Sequence, residues 1–118
     1  MTRILLVDDD ADLREALAEL LADEGFHVTQ AANGQDALES LEEQKADLIV
    51  LDYMMPVMSG PEFRAQQRAR PALAAIPVLL LSAAKDCSDF EQMAPDVIMK
   101  KPFKIPALLR SIRELLPA

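Results

Sequence analysis

A single cysteine, Cys87, stands in 118 residues, so no disulfide can close within the chain. A reducing, cytoplasmic setting is therefore expected. No apolar run approaches the length of a membrane span. The start, Met1-Thr2-Arg3, leads into a short strand-like segment, not the long apolar region of a secretory leader. Basic residues are few: 12 Lys and Arg against 20 Asp and Glu leave a net charge of −8. Such a balance argues against direct nucleic-acid binding. No repeat, low-complexity tract or linker interrupts the chain, and one domain over residues 1–118, with no second domain attached, is the expectation. What is present is a globular composition, with 51% hydrophobic and 27% charged residues. That is enough to build an ordinary core without staples.

Apolar runs of strand length alternate with amphipathic segments of helix length. Strands are predicted at Arg3 to Val7, His27 to Ala31, Leu48 to Leu51, Ile76 to Leu81 and Val97 to Met99. The first helix is predicted over Ala11 to Glu24, with Leu13, Leu17, Leu20 and Leu21 at the helical period, Asp10 as N-cap and Gly25 as the stop. Asn33-Gly34 reads as a turn before a helix over Asp36 to Gln44, with Ala37, Leu38 and Leu41 inward. Tyr53 to Gly60 reads as a loop and Pro61 to Ala69 as a helix. A short, weakly apolar helix is expected over Asp86 to Met93, and a last one over Ile105 to Leu116 with Leu108, Leu109, Ile112, Leu115 and Leu116 inward. Five strands alternating with five helices imply an α/β fold, a doubly wound parallel sheet with helices on both faces.

Ligands in such folds sit at the carboxyl ends of the strands. Asp8 and Asp9 follow the first strand, Asp52 the third, Ser82 and Ala83 the fourth, and Lys101-Pro102 the fifth. Three converging carboxylates repel one another and raise each other's pKa unless a cation lies among them. They suit a hard divalent ion such as Mg²⁺. A lysine opposite can neutralise a phosphoryl oxygen, a serine hydroxyl can donate to it, and an aspartate can act as its nucleophile. The combination points to phosphoryl transfer onto Asp52. Beside this stands a plainer reading of Asp8-Asp9-Asp10 as a helix-capping cluster, which suits Asp10 alone. Lys100 reads as a solvated charge, His27 as a surface residue, and Met54, Met55 and Met58 as loop packing.

The ordered motifs Leu6-Val7-Asp8-Asp9-Asp10, Leu51-Asp52-Tyr53-Met54-Met55-Pro56, Ser59-Gly60, Leu81-Ser82-Ala83 and Lys101-Pro102-Phe103 extend over nearly the whole chain. Together they resemble the receiver domain of two-component response regulators. The resemblance implies a flavodoxin-like sheet of order 2-1-3-4-5. It implies that Asp52 is the phosphoacceptor for a sensor histidine kinase or histidine phosphotransfer protein. Asp9, Asp52 and the Met54 carbonyl would ligate Mg²⁺ (or Mn²⁺), with Asp8 acting mainly through water. Ser82 would swing toward the phosphoryl group, the Ala83 amide would bond it, Lys101 would pair with it, and Tyr53 and Met54 would flank it. A cis Lys101-Pro102 bond is implied as well. The output would be altered affinity for a partner protein or domain of unknown identity, from a monomer or a weak phosphorylation-dependent dimer. Such a domain is not an enzyme; it promotes only its own aspartyl phosphorylation and dephosphorylation.

Two departures from the family pattern stand out. Ile98 occupies the position of the aromatic switch residue, and only 19 positions separate Ser82 from Lys101, a few fewer than usual, the shortfall falling around the fourth helix. Rival readings fare worse on the residues. An aspartate-nucleophile phosphatase needs a second acid two positions after the nucleophile, and Met54 stands there. A flavin binder needs a hydroxyl- or glycine-rich loop after the first strand, where this chain is acidic. A docking module that no longer takes phosphate would not need all five polar site residues.

Overall fold

A computed structural model describes residues 2–53, 58–82 and 94–116. In chain order these form β1 (Arg3–Val7), α1 (Ala11–Asp23), β2 (His27–Ala31), α2 (Gly34–Glu43), β3 (Leu48–Asp52), α3 (Gly60–Arg68), β4 (Val78–Ser82), β5 (Val97–Lys100) and α4 (Ile105–Leu115). The five strands form one parallel sheet in the order β2-β1-β3-β4-β5, as the resemblance implied. The short helix expected over Asp86 to Met93 lies outside the described residues. No helix among the described residues is long and apolar enough to cross a membrane.

The central strands read as unbroken apolar runs because both faces are covered. Leu5, Val7, Ile49, Leu51, Val78 and Leu80 pack with Ala37, Leu38 and Leu41 of α2 and Phe63 of α3. Ile4, Leu6, Leu48, Val50, Leu79 and Leu81 pack with Leu17, Ala18 and Leu21 of α1 and Leu108 and Ile112 of α4. A one-residue slip of any central strand would exchange these two sets. The interlocked faces thus set the height at which each strand ends, and with it the positions of the residues that follow.

Several boundaries differ from the sequence reading. Asn33-Gly34 is a helix start rather than a separate turn: Asn33 caps α2 by accepting from the Asp36 amide, and Gly34 is already helical. β4 begins at Val78, not Ile76, and runs through Ser82. It starts late because Pro77 has no amide to donate, while the Val78 amide donates to Asp96 Oδ2. β3 includes Asp52, β5 extends to Lys100, and α3 starts at Gly60, one residue before Pro61. Leu20, grouped with the inward leucines, is 40% exposed; α1 buries Leu17, Ala18 and Leu21 instead. Asp10 caps α1 by accepting from the Leu13 amide, and Gly25 follows it at φ +95°, a conformation that favours glycine.

Candidate functional site

The acidic cluster is assembled by the pairing of β1 with β3. Val7 lies opposite Leu51, so Asp8 and Asp52 leave neighbouring strands at the same height. Asp52 continues the face of Leu48 and Val50, while the Tyr53 ring packs on the opposite cluster with α2 and α3. Asp8, Asp9 and Asp52 each bring a carboxylate oxygen to a group whose atoms all lie within 4.8 Å of one another. Asp8 and Asp52 are buried and Asp9 is exposed.

Lys101 reaches the cluster from the far side of β4. The pairing of Ser82 with Lys100 sets its height, and the Lys101 amide donates to the Ser82 carbonyl at 2.9 Å. The Lys101-Pro102 peptide is cis, as the resemblance implied. From there the Lys101 ammonium donates to Asp52 Oδ1 at 2.8 Å and lies 3.9 Å from Asp8 Oδ2. Ser82 is fully buried at the end of β4, one residue past the Leu81 that faces Asp52. Ala83 and Met54 lie outside the described residues.

The charges at this rim oppose their own burial. Burial raises the pKa of Asp52, with the Lys101 hydrogen bond opposing and the charges of Asp8 and Asp9 adding to the rise. Asp8 is raised likewise by burial, against the hydrogen bond from the Asp10 amide and the charge of Lys101. Burial works against the Lys101 charge, but its hydrogen bond with Asp52 and the fields of Asp52, Asp8 and Asp9 outweigh it, so its pKa rises. One lysine among three acids leaves the site under-neutralised. Asp8 Oδ1 accepts from the Asp10 amide, whereas Asp8 Oδ2 is buried without a hydrogen-bond partner. An orphaned carboxylate oxygen beside two more carboxylates is the donor set of a hard divalent cation, and Mg²⁺ fits it.

Arg14 escaped the sequence reading. Its Nη1 donates to the Asp8 carbonyl at 2.8 Å and its Nε to Gln30 Oε1 at 3.1 Å. The available signal was positional: Arg14 lies four residues after the Asp10 cap, one turn into α1 and close to the acidic turn. Helical spacing alone does not tell whether such an arginine reaches water or main chain.

The family model of the response regulator receiver domain matches residues 4–113. The DNA-binding response regulator MtrA of Mycobacterium tuberculosis is 39% identical over 115 residues, spanning 94% of this chain and 49% of that protein. The chain thus spans about half the length of the curated relatives it matches. Among solved structures, the Vibrio cholerae chemotaxis protein CheY4 superposes with a TM-score of 0.91 at 29% identity, covering 98% of this chain and 99% of that one. TrrA of Thermotoga maritima, solved in complex with Mg(2+)-BeF, superposes at 0.87 with 35% identity, covering 98% of this chain and all of that one. Matching over nearly its whole length and carrying the acidic rim at the expected strand ends, the chain belongs to the receiver domain family of two-component response regulators.

Proposed function

We propose that residues 1–118 act as one receiver domain in which Asp52 accepts a phosphoryl group from a sensor histidine kinase or histidine phosphotransfer protein. The carrying observation is the Lys101 ammonium, 2.8 Å from Asp52 Oδ1 on the rim that Asp8 and Asp9 share. Asp9, Asp52 and the Met54 carbonyl are the proposed direct ligands of Mg²⁺, with Asp8 acting mainly through water. Mn²⁺ has the same preference for oxygen donors. Bound there, the ion supplies charge neutralisation among the acids and on the phosphoryl oxygens.

The ionised Asp52 carboxylate attacks phosphorus; the P–N bond to the donor imidazole breaks with its electron pair, and the imidazole takes a proton from solvent. An acyl phosphate remains on Asp52. Lys101 then shifts its hydrogen bonds from carboxylate to phosphoryl oxygen, and Ser82 and the Ala83 amide supply further donors. Tyr53 and Met54 flank the group. The modified residue carries a charge of about −1.5 to −2 with new acceptor oxygens. It favours the conformation in which those donors reach it, and thereby changes affinity for an output partner.

The domain acts on itself and turns over no external phosphate ester. It works in the cytoplasm, without direct contact to nucleic acid given its net charge of −8. Any DNA-binding output belongs to another domain or protein. Intact-protein mass spectrometry after treatment with Mg²⁺ and a small acyl or amido phosphate tests the reading. Wild type gains the mass of one phosphoryl group, while Asp52→Asn and chelated wild type do not. Equal labelling of Asp52→Asn would refute Asp52 as acceptor.

A further inference from the structure

We propose that Arg14 is a positioning residue for the acidic turn, holding Asp8 and Asp9 in the geometry that takes the divalent cation. The inference rests on the cation-dependent acceptor role given above and adds a residue that the role does not name.

Three of the four polar groups of Asp8 are committed within the fold. Its amide donates to the Ala31 carbonyl at 3.1 Å, its carbonyl accepts from Arg14 Nη1 at 2.8 Å, and its Oδ1 accepts from the Asp10 amide at 2.9 Å. The remaining atom, Oδ2, is the one buried without a hydrogen-bond partner. Arg14 therefore closes a frame that leaves a single oxygen facing the cluster. The peptide joining Asp8 to Asp9 is planar, so a donor on the Asp8 carbonyl also orients the Asp9 amide and the point from which the Asp9 side chain departs. Arg14 is in turn held by Gln30 Oε1 at 3.1 Å. Gln30 lies opposite Leu6 and Ala31 opposite Val7, so the last two residues of β2 both brace this turn. The edge strand thereby takes part in the site without giving it a single charged group.

The sign of the effect separates positioning from charge. Removing a cation close to a cation site lowers repulsion and tightens metal binding; removing a brace on the ligands weakens it. Calorimetric titration with Mg²⁺ and melts of the metal-free protein are to be made on wild type, Arg14→Ala, Arg14→Lys, Gln30→Ala and Leu21→Val. For Arg14→Ala the Mg²⁺ Kd is expected to rise about 3- to 10-fold, less than for the loss of a direct partner of a ligand side chain because only main chain is held. Arg14→Lys keeps the charge but not the two-pronged donor, and is expected to fall between. Gln30→Ala, neutral for neutral, is expected to weaken binding by about 2-fold. Leu21→Val loosens the far end of α1 and is expected to lower Tm while leaving the Kd unchanged.

Unchanged or tighter binding by Arg14→Ala overturns the inference while leaving the acceptor role intact. A Leu21→Val Kd that rises in step with its Tm loss also overturns it, since general loosening would then suffice. If Arg14→Ala does not fold, Gln30→Ala and Arg14→Lys decide, and wild-type affinity in both is a refutation. Wild type without saturable Mg²⁺ binding removes the inference together with the proposed cation site.

Discussion

Asp8 shows most directly that the site is built against the stability of the fold. Its carboxylate is buried, held at Oδ1 and without a hydrogen-bond partner at Oδ2, where the Lys101 ammonium stands off at 3.9 Å. Burial raises its pKa, and the nearby Asp9 and Asp10 add to the rise. A carboxyl whose folded pKa exceeds its unfolded value favours the native state while protonated, and that contribution is lost as pH rises through the folded value. Near neutrality in the absence of metal, ionised Asp8 is therefore a liability. Asp8→Asn is expected to raise the Tm of the metal-free protein at neutral pH by a few degrees, on the order of 1 kcal/mol. It is also expected to weaken Mg²⁺ binding strongly. The Tm gap should shrink as pH falls through the raised pKa, where the wild-type side chain becomes neutral too. Melts from neutral to mildly acidic pH check this, and a gap that widens toward acid would contradict it.

Among the elements, α3 is tied to the main chain beside Asp52 although no α3 side chain enters the acidic cluster. Ser59 and Glu62 form a capping box, and Pro61 follows in the first turn. The Gly60 amide donates to the Tyr53 carbonyl at 3.0 Å, which ties the start of the helix to the residue after Asp52. A Cβ on Gly60 would stand 3.0 Å from the Tyr53 carbonyl oxygen, 3.2 Å from its Cα and 3.3 Å from the Asp52 carbonyl oxygen. All three neighbours are main chain and cannot rotate aside. Gly60→Ala is thus expected to cost about 1–3 kcal/mol in denaturant unfolding and, by shifting Asp52, to slow its labelling. Ser59→Ala removes the cap for about 1 kcal/mol and leaves that contact alone, so its labelling is expected to stay near wild type.

At the scale of the molecule, the two ends of the sheet have separate tasks. The carboxyl end carries unbalanced charge; the other end is closed by satisfied polar groups. Gln67 is fully buried, donates to the Leu73 and Ile76 carbonyls at 2.9 and 3.0 Å, and accepts from Arg64 Nη1 at 2.9 Å. Arg64 Nη2 reaches the Ala94 carbonyl at 3.1 Å, and Asp96 is bonded through both its side chain and its amide to Val78. Burial, followed by the charge of Arg68, lowers the Arg64 pKa, with Asp96 opposing. This network ties α3 to the starts of β4 and β5. Gln67→Leu takes the side-chain donor from the Ile76 carbonyl, one of two donors from the Leu73 carbonyl and the acceptor from a buried guanidinium, with an expected loss of about 2–4 kcal/mol in urea unfolding. Mg²⁺ affinity should be retained, because the change lies at the end of the strands away from the acids. A matching loss of affinity would show that the two ends are not independent.

The strands, four of the helices and the strand-end placement of Asp8, Asp9, Asp52, Ser82 and Lys101 were legible from residue order. Period and burial leave a local signature: a strand covered on both faces must be apolar throughout, and its first polar residue marks its end. The Asp10 cap was legible for the same reason, since caps act within a few residues, whereas Ser59-Gly60 read as the end of a loop and its capping role emerged with α3. Other features depended on three dimensions. Leu20 has the right spacing but the wrong side of α1, because the width of the buried stripe depends on what packs beside it. Ile98, set apart as a missing aromatic, proves to be an exposed aliphatic at 41% on the edge strand β5, a matter of sheet order. Arg14 acquires its role from a carbonyl on the preceding turn and a glutamine on another strand. Local chemistry is written in neighbouring residues; contacts between distant ones exist only once β1, β2, β3 and β4 have come together in register.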